Sequence, residues 1–138
     1  MSDVRVALVT GASRGIGAAI ADALAAVGDR VAGTATSEAG AEAIAARLGD
    51  AGAGFVLDVA DDEAVERALA AIEERFGAPL VVVNNAGITR DNLLLRMKPE
   101  EWSDVLDTNV GGLYRLCRRV LRPMMMARFG RIVNLSSV

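Results

Sequence analysis

The feature that most constrains this chain is a glycine-rich segment between an apolar run and a helix-forming stretch. Residues 4–9 are mostly apolar, residues 10–17 read T-G-A-S-R-G-I-G, and residues 18–27 are rich in alanine. A buried strand that passes through a glycine turn into a helix can hold a nucleotide phosphate. The reason is that the first N–H groups of a helix are unpaired and carry a partial positive charge. The segment therefore predicts a diphosphate site.

The three glycines of this segment have different expected roles. Gly11 permits a tight turn, Gly15 lets the backbone approach a ligand, and Gly17 lets the helix pack closely on the strand. The first two glycines are two residues further apart than in the G-x-G-x-x-G fingerprint. A purely structural turn is the alternative, but the strand before the segment and the helix after it favour a phosphate site.

Strand-forming and helix-forming stretches alternate along the whole chain. Strands are predicted at residues 4–10, 30–34, 54–57, 80–84 and 131–135, and helices at residues 16–27, 39–48, 62–76, 100–106 and 110–127. The strands are nearly continuous apolar runs, as in parallel sheets covered on both faces. We expect an α/β fold of the Rossmann type: a doubly wound parallel sheet of order 3-2-1-4-5 between two helical layers. The ligand crevice should lie at the carboxyl ends of strands 1 and 4.

Composition argues against several functional classes. The 138 residues carry a net charge of −3, which offers no basic face for nucleic acid, and no apolar run is long enough to span a membrane. The absence of histidine removes serine–histidine and cysteine–histidine catalysis and most zinc sites, so no metal is expected. A single cysteine, Cys117, excludes an internal disulfide and fits a reducing compartment. We therefore expect one cytoplasmic domain over residues 1–138.

The residues after the second predicted strand bear on the choice between NADH and NADPH. Dinucleotide folds that prefer NAD usually place an acid there, where it binds the ribose 2′-hydroxyl. Residues 31–37 read V-A-G-T-A-T-S, and the first acid is Glu38. Arg14, inside the glycine turn, can form charge-assisted hydrogen bonds to a 2′-phosphate. We therefore expect NADP(H) as the cofactor; the alternative is that Arg14 only faces solvent.

Polar residues also follow the third and fourth predicted strands. The carboxylate of Asp58, with Val59 beside it, can accept a hydrogen bond from an adenine amino group. The alternative is a helix start, because Asp58, Asp61 and Asp62 all precede the next helix. Residues 84–87 read N-N-A-G, and their small side chains would let a nicotinamide ribose lie against the backbone while the asparagines tie neighbouring strands.

Together these motifs resemble the short-chain dehydrogenase/reductase family, and within it the bacterial 3-oxoacyl-[acyl-carrier-protein] reductases of fatty-acid synthesis. The resemblance covers essentially the whole chain, at residues 9–17, 33–37, 84–94, 96–98, 108–109 and 130–138. Residues 88–94 are specific to that group of reductases. The resemblance implies NADPH-dependent reduction of a 3-oxoacyl group to a 3-hydroxyacyl group on acyl carrier protein.

The resemblance also implies which residues bind the cofactor. The diphosphate is expected on a turn formed by Gly11, Ala12, Ser13, Arg14, Gly15, Ile16 and Gly17. Thr36 is expected near the 2′-phosphate together with Arg14, and Asp58 and Val59 at the adenine. The ribose of the nicotinamide half is expected beside Asn85, Ala86 and Gly87.

Two residues match the family's catalytic positions. Ser137 matches the serine that donates a hydrogen bond to the substrate carbonyl, and Asn109 matches the helix asparagine that holds a water of the proton relay. Without the resemblance, Asn109 would be interpreted as a helix N-cap before Val110.

The chain departs from the family pattern after the serine. The family has Tyr-x-x-x-Lys a dozen or so residues later, whereas this sequence ends at Val138, and its only tyrosine, Tyr114, is followed by Arg118. Tyr114 belongs to an amphipathic helix and is expected to pack. We expect the cofactor-binding portion of the fold, without the family's C-terminal strands. It should be nearly inactive alone, because general acid catalysis contributes roughly 10²–10⁴-fold. Its exposed last strand should make it poorly soluble or dependent on a partner segment.

Partners follow from the same resemblance. Arg128 falls where family members use a basic residue to meet the acidic acyl carrier protein, and the complete protein is expected to be a homo-oligomer, a tetramer, that uses the helix at residues 110–126. Two other functions stay open. One is a non-catalytic dinucleotide-binding module, and the other is a short-chain reductase that acts on a different carbonyl compound.

Overall fold

The structure is a computed structural model that describes residues 4–87 and 96–135. Its five strands are β1 (Val6–Val9), β2 (Arg30–Ala35), β3 (Gly52–Val56), β4 (Val81–Asn84) and β5 (Arg131–Asn134). They form one sheet of order β3-β2-β1-β4-β5, in which every neighbouring pair is parallel. The predicted topology and strand order are confirmed.

Helices cover both faces of this sheet. They are α1 (Gly15–Ala26), α2 (Glu38–Leu48), α3 (Asp62–Phe76), α4 (Pro99–Leu106) and α5 (Gly112–Ala127). One core cluster joins strand residues to α1 and α2, with Ile44 and Leu48 among its members. The other joins strand residues to α3 and α5, with Ile72 and Leu116 among its members. The fold therefore has the expected three layers, and β1 is buried along its whole length because it lies in the middle.

The junction between α4 and α5 differs from the prediction. The sequence suggested two separate helices with a break before Val110, but a π-helical turn at Asp107–Gly111 joins α4 directly to α5. Asn109 lies inside this turn, and Gly111, which precedes α5, has helical dihedral angles and no capping side chain. The interpretation of Asn109 as an N-cap is therefore wrong. A π turn is a local widening of a helix and is often found at functional sites. Here the cap-forming residue types at 107–109 indicated a helix break instead.

An ion pair ties the two helices of one layer together. Arg119 on α5 donates to both carboxylate oxygens of Asp62 in the first turn of α3, at 2.8 Å and 3.0 Å. These hydrogen bonds hold the pKa of the Asp62 carboxyl below its ordinary value.

This lowered pKa predicts how Arg119→Met changes stability with pH. In the unfolded chain the carboxyl titrates at about 3.9. A group with a lower pKa in the folded state stabilises the fold above its unfolded pKa and loses that contribution as the pH falls through the folded pKa. The variant should therefore have a lower free energy of unfolding than the parent near neutral pH, and the gap should close below about pH 3.9. Urea denaturation of both proteins at several pH values measures this difference in the free energy of unfolding. A difference that does not change with pH would contradict the stabilising role of the Arg119–Asp62 pair.

Candidate dinucleotide site

A cleft of about 690 Å³ opens at the carboxyl ends of the strands, where the sequence predicted the crevice. Four loops that follow β1, β2, β3 and β4 form most of its wall, and α4 and the π-helical turn close one side. Most of the residues predicted to bind cofactor line this cleft: Gly11, Ser13, Arg14, Gly15, Ile16, Thr36, Asp58, Val59, Asn85, Ala86 and Gly87. The fold thus gathers residues far apart in the sequence into one site.

The glycine turn, residues 10–14, is fastened to the end of β4. The buried hydroxyl Oγ1 of Thr10 accepts hydrogen bonds from the backbone N–H groups of Asn85, at 3.0 Å, and Ala86, at 2.9 Å. In return, the side-chain amide of Asn85 donates to the carbonyl oxygen of Gly11 at 3.0 Å. These three bonds set the position of the turn against the loop that forms the opposite wall of the cleft.

Backbone conformation explains one glycine of the turn, and close packing explains another. Gly11 has a φ of 63°, a left-handed conformation that favours glycine. A Cβ atom on Gly17 would lie 2.0 Å from the carbonyl oxygen of Gly11, so a side chain at Gly17 would force α1 away from the turn. Gly15 instead faces open space within the cleft, since a Cβ atom there would meet no atom within 4 Å. These placements agree with the roles expected from the sequence.

The start of α1 has the features of an anion site. Arg14 precedes the helix in an extended conformation, makes no side-chain cap, and no acid lies in the first turn. The N–H groups of a first helical turn have no partner within the helix, and they favour negative charge. Because Gly15 and Ile16 line the cleft, these groups lie where a diphosphate would bind.

Two predicted cofactor residues lie beneath the turn rather than on its surface. Ala12 is buried, and its backbone N–H already donates to the carbonyl oxygen of Thr34 at 2.9 Å, so it has no free donor for a ligand. Gly17 is buried against Gly11 and is absent from the cleft wall. In this structure both residues support the turn by packing, and their direct contact with a cofactor stays a prediction.

The end of β2 carries no acid toward the cleft. Ala35 and Thr36 line the wall, while the hydroxyl of Ser37 caps α2 by accepting from the N–H of Gly40 at 3.0 Å. Glu38 is the first residue of α2 and does not line the cleft. Among the residues described, Arg14 forms no hydrogen bond or ion pair, so its guanidinium is available to a ligand at this edge.

Asp58 and Asp61 differ in their hydrogen bonds, which bears on the helix-start role that the sequence left open. Asp61 is the N-cap of α3 and accepts from the N–H groups of Glu63, at 3.0 Å, and Ala64, at 3.2 Å. Asp58 instead accepts from the N–H of Ala60 at 2.9 Å, which keeps this exposed carboxylate on the cleft wall. The helix-start role therefore belongs to Asp61, and Asp58 stands at the predicted adenine edge.

The opposite end of the cleft brings Asn109 next to the loop after β4. A Cβ atom on Gly87 would lie 2.9 Å from Oδ1 of Asn109, so the absent side chain at Gly87 leaves room for that amide. Ser137, the other predicted catalytic residue, lies outside the described residues.

Sequence reasoning missed several residues of this site, three of which are polar. Thr10 was counted as the end of the first strand, although its position directly before Gly11 was a usable signal. Asp104 and Thr108 also line the cleft, and they come from α4 and the π-helical turn. Their spacing of four residues places them on one face of a helix, but nothing in the sequence indicated which face meets the cleft.

Comparison with known proteins agrees with this architecture. A family model described as short chain dehydrogenase matches residues 5–138, and the chain belongs to that family.

Curated relatives of this chain include three bacterial proteins named 3-oxoacyl-[acyl-carrier-protein] reductase FabG. The protein of Haemophilus influenzae is 58% identical over 134 residues, which cover 97% of this chain and 55% of the relative. The protein of Pseudomonas aeruginosa is 61% identical over 137 residues, covering 97% and 56%, and that of Escherichia coli is 55% identical over 134 residues, covering 97% and 55%. The chain thus spans about half the length of the curated relatives it matches.

Within residues 4–87 and 96–135, no helix is both long enough and apolar enough to cross a bilayer.

The two hydrogen bonds that Thr10 accepts predict that two buried threonines respond differently to substitution by valine. Thr10→Val removes the acceptor of two backbone N–H groups and should lower the free energy of unfolding by about 1–3 kcal/mol. Thr34→Val is the matched control. The Thr34 hydroxyl is equally buried and has no hydrogen-bond partner in the described part of the chain, so its loss should be neutral or stabilising. Urea denaturation of both variants tests this; equal losses would show that the Thr10 bonds are not what holds the turn.

Proposed function

We propose that this chain forms the NADP(H)-binding part of a 3-oxoacyl-[acyl-carrier-protein] reductase. The observation that carries the proposal is the uncapped start of α1 at the cleft wall, with a free arginine beside it and no acid at the end of β2. The names of the curated relatives support the choice of substrate class.

The residues of the cleft fit the parts of such a cofactor. The amides at the start of α1 would hold the diphosphate, and Arg14 and Thr36 would meet the 2′-phosphate. The carboxylate of Asp58 would accept a hydrogen bond from the adenine amino group, with Val59 beside it, while residues 85–87 would border the nicotinamide ribose. NADPH, when bound, supplies the hydride that reduces the 3-oxo group.

The chain's own residues would orient the carbonyl and hold a water. Under the proposal, Ser137 donates a hydrogen bond to the substrate carbonyl oxygen, and Asn109 binds a water beside Gly87. Tyr114 does not line the cleft, and its side chain on α5 is exposed, so it neither packs in the core of this chain nor lies where an acid would act; it fits contact with another subunit. The proton donor of the reaction is therefore not among the residues of this sequence that line the cleft.

Two surfaces fit the proposed partners. Arg128, the cap of α5, is exposed beside Phe129, whose ring lies 4.6 Å from the guanidinium carbon of Arg131 and 5.9 Å from that of Arg5. This cluster of three arginines suits an acidic partner, and acyl carrier protein is the one we propose. A second surface, on the π-helical turn and α5, exposes the apolar residues Val110, Tyr114, Leu121 and Met125, which suits contact between subunits of a tetramer. A cytoplasmic location stays a prediction.

One observation favours a second candidate, a non-catalytic dinucleotide-binding module. The sequence contains one tyrosine, and the residue four positions after it is Arg118 rather than a lysine.

Both candidate functions predict NADPH binding, so an assay of NADPH oxidation decides between them. We expect this chain to bind NADPH and to reduce an acetoacetyl thioester very slowly. A protein in which this chain is followed by the family's Tyr-x-x-x-Lys segment should reduce the thioester in preference to simple ketones. If a protein that also carries Tyr-x-x-x-Lys does not oxidise NADPH with the thioester, the non-catalytic module is favoured. If the chain alone oxidises NADPH rapidly, the claim that it lacks the proton donor is wrong.

Arg14→Ala tests the assignment of the 2′-phosphate. Hydrogen bonds to charged groups contribute about 1.5–3 kcal/mol, so the Kd for NADPH should rise about ten- to hundredfold. The Kd for NADH, which lacks that phosphate, should change little. Fluorescence titration with each reduced cofactor measures both constants without catalysis. Arg67→Ala, on an exposed part of α3 outside the cleft, is the control. Equal losses for NADPH and NADH, or tighter binding of NADH by the parent chain, would overturn the assignment.

A further inference from the structure

We propose that Arg115 is a positioning residue that couples the adenine edge of the cleft to the turn that carries Asn109. Binding of the adenine half of the cofactor would then order the distant turn at which the water is held. The proposal rests on the function proposed above.

The contacts of Arg115 join two walls of the cleft. Its side chain begins in the first turn of α5 and is only 18% exposed. Nη1 donates to the carbonyl oxygen of Val59 at 3.0 Å and to that of Asp107 at 3.0 Å, and Nη2 pairs with the Asp107 carboxylate. Val59 lies at the adenine edge, and Asp107 begins the π-helical turn. One guanidinium therefore bonds to both segments.

Two glycines bring these segments into close contact. A Cβ atom on Gly112 would lie 2.8 Å from Cγ2 of Val59, so α5 begins directly against the loop after β3. A Cβ atom on Gly111 would lie 3.0 Å both from Nη1 of Arg115 and from Oδ1 of Asp107. The guanidinium therefore occupies space that a side chain at Gly111 would fill.

The far end of the turn reaches the nicotinamide side of the cleft. Asn109 lies two residues after Asp107, and its Oδ1 borders Gly87. Contacts thus run from Val59 through Arg115 and the π-helical turn to Gly87. A ligand that holds Val59 in place strengthens the bonds that hold Asp107, and by linkage an ordered turn favours that ligand.

Arg119 supplies a matched control on the same helix. It lies one turn after Arg115, is 21% exposed, and also pairs with an aspartate, Asp62. Its side chain bonds to α3 and to the backbone oxygen of Arg115, but not to Val59 or to the π-helical turn. A general loosening of α5 should therefore affect both variants, whereas the proposed coupling should be lost only with Arg115.

The test is hydrogen exchange at the amides of residues 107–111 with and without adenosine 2′,5′-bisphosphate. This probe carries the adenine and the 2′-phosphate but lacks the nicotinamide half, so it cannot contact the turn through that half. In the parent chain and in Arg119→Met, the probe should slow exchange of these amides about fivefold or more, the lower end of typical coupling factors. In Arg115→Met the effect should fall to less than about twofold at saturating probe, with the Kd for NADPH raised by the same coupling factor.

The outcomes separate this inference from the proposed function. If the folded parent chain binds neither the probe nor NADPH, the proposed function fails. If binding occurs and Arg115→Met protects the turn as the parent does, the coupling role is wrong. If Arg115→Met and Arg119→Met lose the same amount of probe-induced protection, Arg115 has only a structural role, and the coupling proposal is overturned. Should Arg115→Met fail to fold, Arg115→Lys replaces it, because an ammonium cannot reproduce the planar fork that reaches several acceptors. Parent-like protection in that variant would overturn the proposal.

Discussion

The geometry of the cleft depends on the hydrogen bonds that hold the glycine turn against the end of β4. Thr10 accepts hydrogen bonds from the backbone N–H groups of Asn85 and Ala86, and the Asn85 side chain donates to the carbonyl oxygen of Gly11. Gly17 lets α1 begin directly against the turn. The first-turn amides of α1 have no side-chain cap, and Gly15 and Ile16 of that turn line the cleft. Such amides are stable only when water or an anion binds them, which makes this junction the natural place for a diphosphate.

Much of this arrangement could be predicted from the sequence because its signals are local. Continuous apolar runs such as the one ending at Val9, separated by helix-length stretches, are sufficient to predict a parallel sheet and its order. The carboxyl ends of parallel strands meet at one edge of the sheet. The sequence alone therefore assigns four loops to one cleft, those that contain Gly11, Thr36, Asp58 and Gly87.

The parts that could not be predicted depend on contacts between distant segments. The π-helical turn at Asp107–Gly111 contains residue types that usually cap helices, so its sequence predicts a break between two helices and not one continuous, locally widened helix. Arg115 belongs to a run of arginines whose simplest interpretation is a solvated helix face. Only the fold shows that this side chain turns inward to the carbonyl oxygen of Val59, a residue 56 positions earlier. Likewise, the sequence does not indicate that the backbone N–H of Ala12 donates to the carbonyl oxygen of Thr34.

The most direct measurement is an NMR titration of the 14.4 kDa chain with NADPH, followed at its backbone amides. If the start of α1 binds the diphosphate, the amides of Ser13, Gly15 and Ile16 should show the largest shifts and saturate together with the fluorescence binding curve. Saturable binding that leaves these three amides unchanged and shifts a different surface would contradict the site, as would the absence of binding by the folded chain.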